Sequence, residues 1–224
     1  MMRAENLSRR FFRKSGSANF FYAVNPLNLE LHPGEVTVLT GRSGSGKTTL
    51  LNMLAGLLPP TDGKVWLGET DLYSLNDRDL SRLRNEKIGV VPQGRSAIDT
   101  LTVFENIALP AEMTGRKWQP ELALEQMEHF GIGHLREARP AELSGGELRR
   151  MAIVRAMVHR PDILFADEPT GDLDDENTEK VFSTFRAYAH EQGKSVFIVT
   201  HESDALRYAD TVYRMNQGTI TREK

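Results

Sequence analysis

The stretch VTVLTGRSGSGKTTLLNML, Val36 to Leu54, decides the fold. Val36 to Thr40 is short, β-branched and without charge, which predicts a buried strand. Gly41 to Thr48, GRSGSGKT, matches the P-loop pattern in full. Its glycines let the backbone curl without Cβ clashes, so that successive N–H groups point inward at an anion. A helix from about Lys47 to Leu58 adds its positive end, with Leu50, Leu51, Met53 and Leu54 as its apolar body. Lys47 brings a mobile charge to β- and γ-phosphates, and the Thr48 hydroxyl is placed for Mg²⁺.

Reading outward, Pro59-Pro60 closes that helix, and Asp62-Gly63 reads as a tight turn into Lys64–Leu67. His32-Pro33-Gly34-Glu35 is a turn before the P-loop strand. The middle of the chain, about 74–160, reads as helical over Asp77–Arg84, Thr102–Met113, Pro120–Phe130 and Gly146–His159, with a short strand at Ile88–Val91. Ile163–Ala166 and Ser195–Thr200 are further buried strands. Between them Glu176–Gln192 is a helix with a stripe of Val181, Phe185 and Tyr188. Asp210–Met215 and Gln217–Ile220 form a hairpin around Asn216–Gly218. Strands alternating with helices imply an α/β fold with a mostly parallel sheet, into which the helix-rich middle is inserted.

Composition narrows the function classes. The 224 residues suit one domain, or one domain with a subdomain. A net charge of −3 offers no basic face for nucleic acid. The chain has no cysteine, which removes disulfides and thiolate-held zinc and fits a reducing compartment. No apolar run approaches the length of a membrane span, so a role at a membrane goes through a partner. Met1 to Lys14 holds five basic residues and one acid but no apolar core, so it reads as a first strand and not as a secretory signal.

Ile163 to Pro169, ILFADEP, runs four apolar residues into two acids at a strand's C-terminal end, the edge where parallel sheets bind ligands. Asp167 there can hold a metal through water, and Glu168 can take a proton from an attacking water. The competing reading is a pair of solvated acids. His201 follows the strand that ends at Thr200 and can hydrogen-bond a γ-phosphate as a neutral imidazole, or serve structure alone. Gln93 ends another strand and can reach metal or water with its amide oxygen. Phe11 and Phe12 can stack on a base or pack in a core. Leu143 to Glu147, LSGGE, has the make-up of a second anion cradle at a helix start.

Taken together, GRSGSGKTT (41–49), Gln93 in VVPQ, LSGGELRR (143–150), ILFADEPTGDLD (163–174) and the THES that contains His201 resemble the ATP-binding cassette (ABC) ATPases over essentially the whole chain. The resemblance implies a P-loop NTPase (RecA-like) core at about 1–92 and 160–224, a helical subdomain at about 93–159, and a small antiparallel N-terminal β part. It implies ATP and Mg²⁺ as ligands. ATP would lie on Gly41, Arg42, Ser43, Gly44, Ser45, Gly46, Lys47, Thr48 and Thr49, with Phe11 against the adenine and Phe12 as its rival. Thr48, Gln93 and Asp167 would serve the metal, while Lys47, Gln93, Glu168 and His201 would carry catalysis. Ser144, Gly145, Gly146 and Asp174 would complete the site of a second subunit in a head-to-tail homodimer, or in a heterodimer with a related cassette.

LTVFENIALP (101–110) and DEPTGDLD resemble the branch serving lipoprotein release, macrolide or antimicrobial-peptide export and the cell-division complex. That resemblance implies a separate integral-membrane permease as partner, and a position on the cytoplasmic face of the membrane. It also implies export or extraction of a lipoprotein, peptide or drug, and no nucleic acid. Two departures stand out: Glu147 replaces the signature's usual glutamine, and the polar GRSAID after Gln93 replaces apolar residues in the segment that grips a permease. The rivals are a P-loop phosphotransferase, which has no need of LSGGE, a soluble ABC ATPase acting on ribosomes or DNA, and a non-catalytic subunit.

Overall fold

A computed structural model describes residues 1–12, 20–115 and 118–224. Among the described residues, ten strands and six α-helices run in the order β1 (Met2–Phe12), β2 (Phe20–Leu31), β3 (Val36–Gly41), α1 (Lys47–Leu54), β4 (Asp62–Leu67), β5 (Thr70–Asp71), α2 (Asp77–Lys87), β6 (Ile88–Val91), α3 (Val103–Thr114), α4 (Pro120–His129), α5 (Gly145–Met157), β7 (Ile163–Asp167), α6 (Asp175–Gln192), β8 (Ser195–Thr200), β9 (Thr211–Asn216) and β10 (Thr219–Arg222). They form two sheets. The larger has the order β10-β9-β3-β8-β7-β6 and is parallel except for β10. The smaller, β2-β1-β4-β5, is antiparallel. The architecture is the α/β fold that the sequence implies, including the antiparallel N-terminal part.

The central strands β3, β7 and β8 are covered on both faces, which explains their apolar, uncharged runs over Val36–Thr40, Ile163–Ala166 and Ser195–Thr200. Strand alternation sorts their side chains. Val36, Val38, Leu164, Ala166, Val196 and Ile198 enter one core with the buried faces of α3 to α6. Leu39, Ile163, Phe165, Phe197 and Val199 enter the other, with α1 and the antiparallel sheet. Helices α3, α4 and α5 lie between β6 and β7, and Met151, Val154 and Val158 at α5 pack into the first core. None of the helices among the described residues is long and apolar enough to cross a membrane.

Two local expectations are corrected. Helix α1 stops at Leu54 and not at Leu58. Gly56 takes φ +70°, Leu57 N–H returns to Asn52 C=O at 2.9 Å and Gly56 N–H to Met53 C=O at 3.2 Å, a Schellman closure that ends the helix before Pro59. Asp62-Gly63 is not a turn but the start of β4. Gly63 passes so close to Asn6 of β1 that a Cβ would stand 2.3 Å from the Asn6 carbonyl oxygen, and the pairing register shifts there. Helix α2 also runs on to Lys87, beyond Arg84, and other boundaries move by one or two residues.

Candidate nucleotide site

Strand β3 delivers the chain into the loop 41–46, and α1 starts at Lys47 with Gly46 as its N-cap. Two of the loop's glycines are required by neighbours within the fold. A Cβ on Gly41 would stand 2.4 Å from the Met215 carbonyl oxygen, and one on Gly46 would stand 2.1 Å from that of Ala23. The Lys47 ammonium donates to the carbonyls of Gly41 at 2.8 Å and Arg42 at 3.2 Å. Ser45 Oγ is buried with no hydrogen-bond partner among the described residues.

The loop borders a cavity of about 1030 Å³. Residues 42–49, Gln93, Asp167, Glu168 and His201 line it, and so does Phe11. Parity explains Asp167: it shares a face with Ile163 and Phe165, which is the α1 face. There it is 2 % exposed and bonded to the Thr48 hydroxyl. Burial raises its carboxyl above the usual range and the Glu168 charge adds to this, while Thr48, Lys47 and Arg149 oppose it. Glu168 accepts a hydrogen bond from Thr200 Oγ1 at 3.0 Å, and its Oε1 faces His201 Nδ1 at 3.0 Å. That contact, first as a hydrogen bond and then as a charge, raises the pKa of His201 above that of a free imidazole. The ring therefore keeps its second proton to a higher pH than a free imidazole does.

Phe11 and Phe12 part company. Phe11 pairs across the strands with Phe21, their rings 6.0 Å apart, and the Arg9 guanidinium lies 4.8 Å from the Phe11 centroid. Phe12 is 85 % exposed and does not line the cavity.

The remaining expected residues lie elsewhere. Ser144, Gly145 and Gly146 start α5 outside this cavity, with Ser144 and Gly145 exposed. Ser144 and Glu147 form a capping box: Ser144 Oγ donates to the Glu147 carboxylate at 2.7 Å and accepts from Glu147 N–H at 3.3 Å. The Ser144 hydroxyl and the Ser144 N–H both donate to the Glu147 carboxylate, each at 2.7 Å, and these two bonds hold its pKa below the usual carboxylate range. Asp174 caps α6 through Asn177 N–H at 2.8 Å and also lies outside the cavity. Sequence reading missed Phe21, Tyr22, Arg149, Asp172, Gln217 and Gly218 in the lining. Arg149 alone left a readable signal, because Ala152 and Ile153, three and four residues on, are buried on the same helix face.

Among the described residues no three His, Cys, Asp or Glu side chains gather as a metal cage. Asp167 with Thr48, a buried carboxylate beside a hydroxyl, is an oxygen-only pair that suits a hard cation which keeps much of its water.

A family profile described as ABC transporter matches residues 24–171. The lipoprotein-releasing system ATP-binding protein LolD of Pseudomonas fluorescens is 40 % identical over 200 residues, 88 % of each chain. An uncharacterized ABC transporter ATP-binding protein of Methanocaldococcus jannaschii, MJ0796, is 34 % identical over 230 residues, covering 100 % of this chain and 97 % of that one. The dimeric structure of MJ0796 in a post-hydrolysis state with ADP and Pi superposes with a TM-score of 0.92 at 31 % identity, covering 100 % of this chain and 99 % of that one. A nucleotide-free cassette at 24 % identity, with a TM-score of 0.81, shares the fold. This chain belongs to the ABC transporter family and is one of its ATPase cassettes.

Proposed function

We propose that two copies of the chain close head to tail over two ATP molecules, and that their closing and opening drives a separate membrane permease. The observation that carries this reading is the division of the site: 42–49, Gln93, Asp167, Glu168 and His201 share one cavity, while Ser144–Gly146 stand outside it on an exposed helix start. A signature loop that does not reach its own chain's cavity is available to a neighbour. The unpartnered Ser45 hydroxyl and the inward-facing Lys47 fit a phosphate chain.

In this reading Glu168 takes a proton from water as that water's oxygen bonds to the γ-phosphorus. The bond between that phosphorus and the bridging oxygen breaks, leaving ADP and inorganic phosphate. The Lys47 ammonium stands against the developing charge, and His201 faces the same cavity. Thr48, Asp167 and Gln93 would hold Mg²⁺, which supplies electrostatic stabilisation of the phosphate oxygens. Phe11 lies under the adenine. Ser144, Gly145, Gly146 and Asp174 act across the interface, and residues 93–159 form the helical subdomain that carries the signature. The partner copy is the same chain or a related cassette. The permease holds the pair at the cytoplasmic face of the membrane for export or extraction of a lipoprotein, peptide or drug, in line with the similarity to LolD.

Glu168→Gln tests this directly. Turnover falls by about 10²–10⁴-fold, the usual share of general-base catalysis. ATP binding persists, and an ATP-bound dimer accumulates in size-exclusion chromatography. Wild-type turnover by the variant would overturn the assignment.

A further inference from the structure

The Phe11 ring borders the nucleotide cavity on one side and meets a cation on the other. The Arg9 guanidinium lies over it, 4.8 Å from the ring centroid, and Arg9 itself does not line the cavity. Its Nη1 donates to the Pro59 carbonyl at 2.7 Å. Pro59 follows the closure of α1, the helix that starts at Lys47. Through one side chain, the ring beside the cavity is thus tied to the far end of the phosphate-loop helix. The strands leave the ring little other support. Its cross-strand partner Phe21 is itself exposed, and so is the next residue, Phe12.

As a device for stability the arrangement is weak. The bond to Pro59 is exposed, and a cation over an exposed ring adds little to a fold. Arg9 Nε is buried without a partner among the described residues, which is a cost. What the arrangement does is immobilise a ring. A free ring near the end of β1 changes rotamer, and it loses that freedom when a base stacks on it. With a flat guanidinium held behind it, the ring is ordered before the base arrives. The guanidinium is anchored to the chain just beyond α1, so the ring also stands at a set distance from the phosphate loop at the other end of that helix.

We propose that Arg9 is a positioning residue for the nucleotide base. Its guanidinium backs the Phe11 ring, turns the opposite face to the cavity and fixes the span from that face to the loop 41–46. A base with a flat aromatic face, joined to a triphosphate of matching reach, satisfies both ends at once. The inference rests on Phe11 lying under the adenine, which Phe11→Ala tests separately.

The test separates the base from the phosphates. A fluorescent ATP analogue is displaced from the full-length protein by ATP or by inorganic triphosphate, which fills the phosphate loop and has no base to stack. Arg9→Met should weaken ATP by about fivefold, the low end of what one base stack is worth, and leave inorganic triphosphate unchanged. Arg9→Lys keeps the charge but not the flat fork, and should lose ATP affinity in part. It keeps the test standing if the Met variant does not fold. Because Arg9 acts through the ring, Arg9→Met should have no further effect in the Phe11→Ala background. Arg10 supplies the control for charge: it lies over Phe20 at 5.6 Å and Tyr22 at 5.8 Å and does not line the cavity. Arg10→Met should bind ATP as the parent does. Unaltered ATP affinity in both Arg9 variants, beside a weakened Phe11→Ala, would overturn the proposal. So would equal losses of ATP and triphosphate, additive losses in the double variant, or an equal loss in Arg10→Met. A Phe11→Ala protein that binds ATP as the parent does would instead overturn the reading of Phe11.

Discussion

The contrast between Gly46→Ala and Gly44→Ala separates what the P-loop glycines do for the fold from what they do for the ligand. Gly46 has φ +109°, and an added Cβ would stand 2.1 Å from the Ala23 carbonyl oxygen, 0.9 Å inside the 3.0 Å that real Cβ atoms respect. The obstacle is the backbone of β2, so no side-chain rotation relieves it. Positive φ costs an L-residue about 1–2 kcal/mol, and overpacking by one methyl adds roughly 1–3 kcal/mol. Retreat of the loop also strains the bonds from Gly218 N–H to Ser45 C=O and from Leu50 N–H to Gly46 C=O, each 2.9 Å. A destabilisation of about 3–5 kcal/mol is therefore expected, a large part of the stability of an ordinary domain. At about 2–4 °C per kcal/mol for a chain of this size, the melting temperature falls by roughly 6–20 °C.

Gly44 has φ +75°, and nothing lies within 4 Å of its would-be Cβ. Only the backbone cost of about 1–2 kcal/mol applies, a fall of roughly 2–8 °C. Its methyl would, however, project from a loop that lines the nucleotide cavity, so ATP affinity falls by about tenfold or more, some 1.4 kcal/mol. Differential scanning fluorimetry and titration with a fluorescent ATP analogue read the two effects apart. A Gly46→Ala protein that melts within about 2 °C of the parent, or that is more stable than Gly44→Ala, would refute the reasoning, since the calculation then misplaces the clash.

Ser144→Arg should spare ATP binding by the single chain but prevent the ATP-dependent dimer in the Glu168→Gln background; a dimer of normal stability on size-exclusion chromatography would exclude the signature loop from the interface. Phe11→Ala should weaken ATP affinity by the worth of one base stack, about 1–3 kcal/mol, and Phe12→Ala should not; equal effects in the same titration would remove Phe11 from the adenine site. Asp162→Asn tests an ion pair far from the site. Burial acts to raise the Asp162 pKa, but hydrogen bonds from Lys194 and Lys87 outweigh it and hold the carboxyl low. A depressed folded-state pKa gives stability that is present above the unfolded value, about 3.9, and lost as pH falls through the folded one. At pH 7 the variant should melt about 1–3 °C lower, a partly exposed pair being worth at most ~1 kcal/mol. The gap should close in acid, and a gap independent of pH in thermal melts would sink the pairing.

What was legible in the sequence is what depends on local pattern. The apolar runs of β3, β7 and β8, the loop between β3 and α1, and the acids at the end of β7 all follow from composition over a few residues. What was not legible depends on distant backbone. The Asp62-Gly63 pair has the chemistry of a turn, and only the approach of Asn6 makes it a bulge within a strand. The choice between Phe11 and Phe12 turns on strand register, which sets Phe11 opposite Phe21, and β1 carries three register shifts against β2 that alternation counted from the sequence does not contain. The end of α1 was set by Gly56 and not by the prolines, because a glycine at positive φ closes the helix before the chain reaches them.

The adjacent acids show most clearly where pattern stops and geometry begins. Asp167 and Glu168 are consecutive, and in a regular strand consecutive side chains point to opposite faces. Asp167 obeys the alternation and goes to the α1 side with Phe165. Continued for one more residue, the strand would carry Glu168 away from the phosphate loop. Instead Glu168 takes φ +48°, left-handed and uncommon for a residue other than glycine. The strand pairing ends with Asp167, and Glu168 N–H bonds Val199 C=O at 2.8 Å. Both carboxylates then line the same cavity, with Glu168 held by Thr200 Oγ1 and facing His201. A conformation of this kind costs of order 1–3 kcal/mol and persists only where surrounding contacts enforce it. Here those contacts come from the end of β8, the strand that also delivers His201. The pair of acids becomes a candidate metal ligand and a candidate base in one cavity because the backbone breaks its alternation between them.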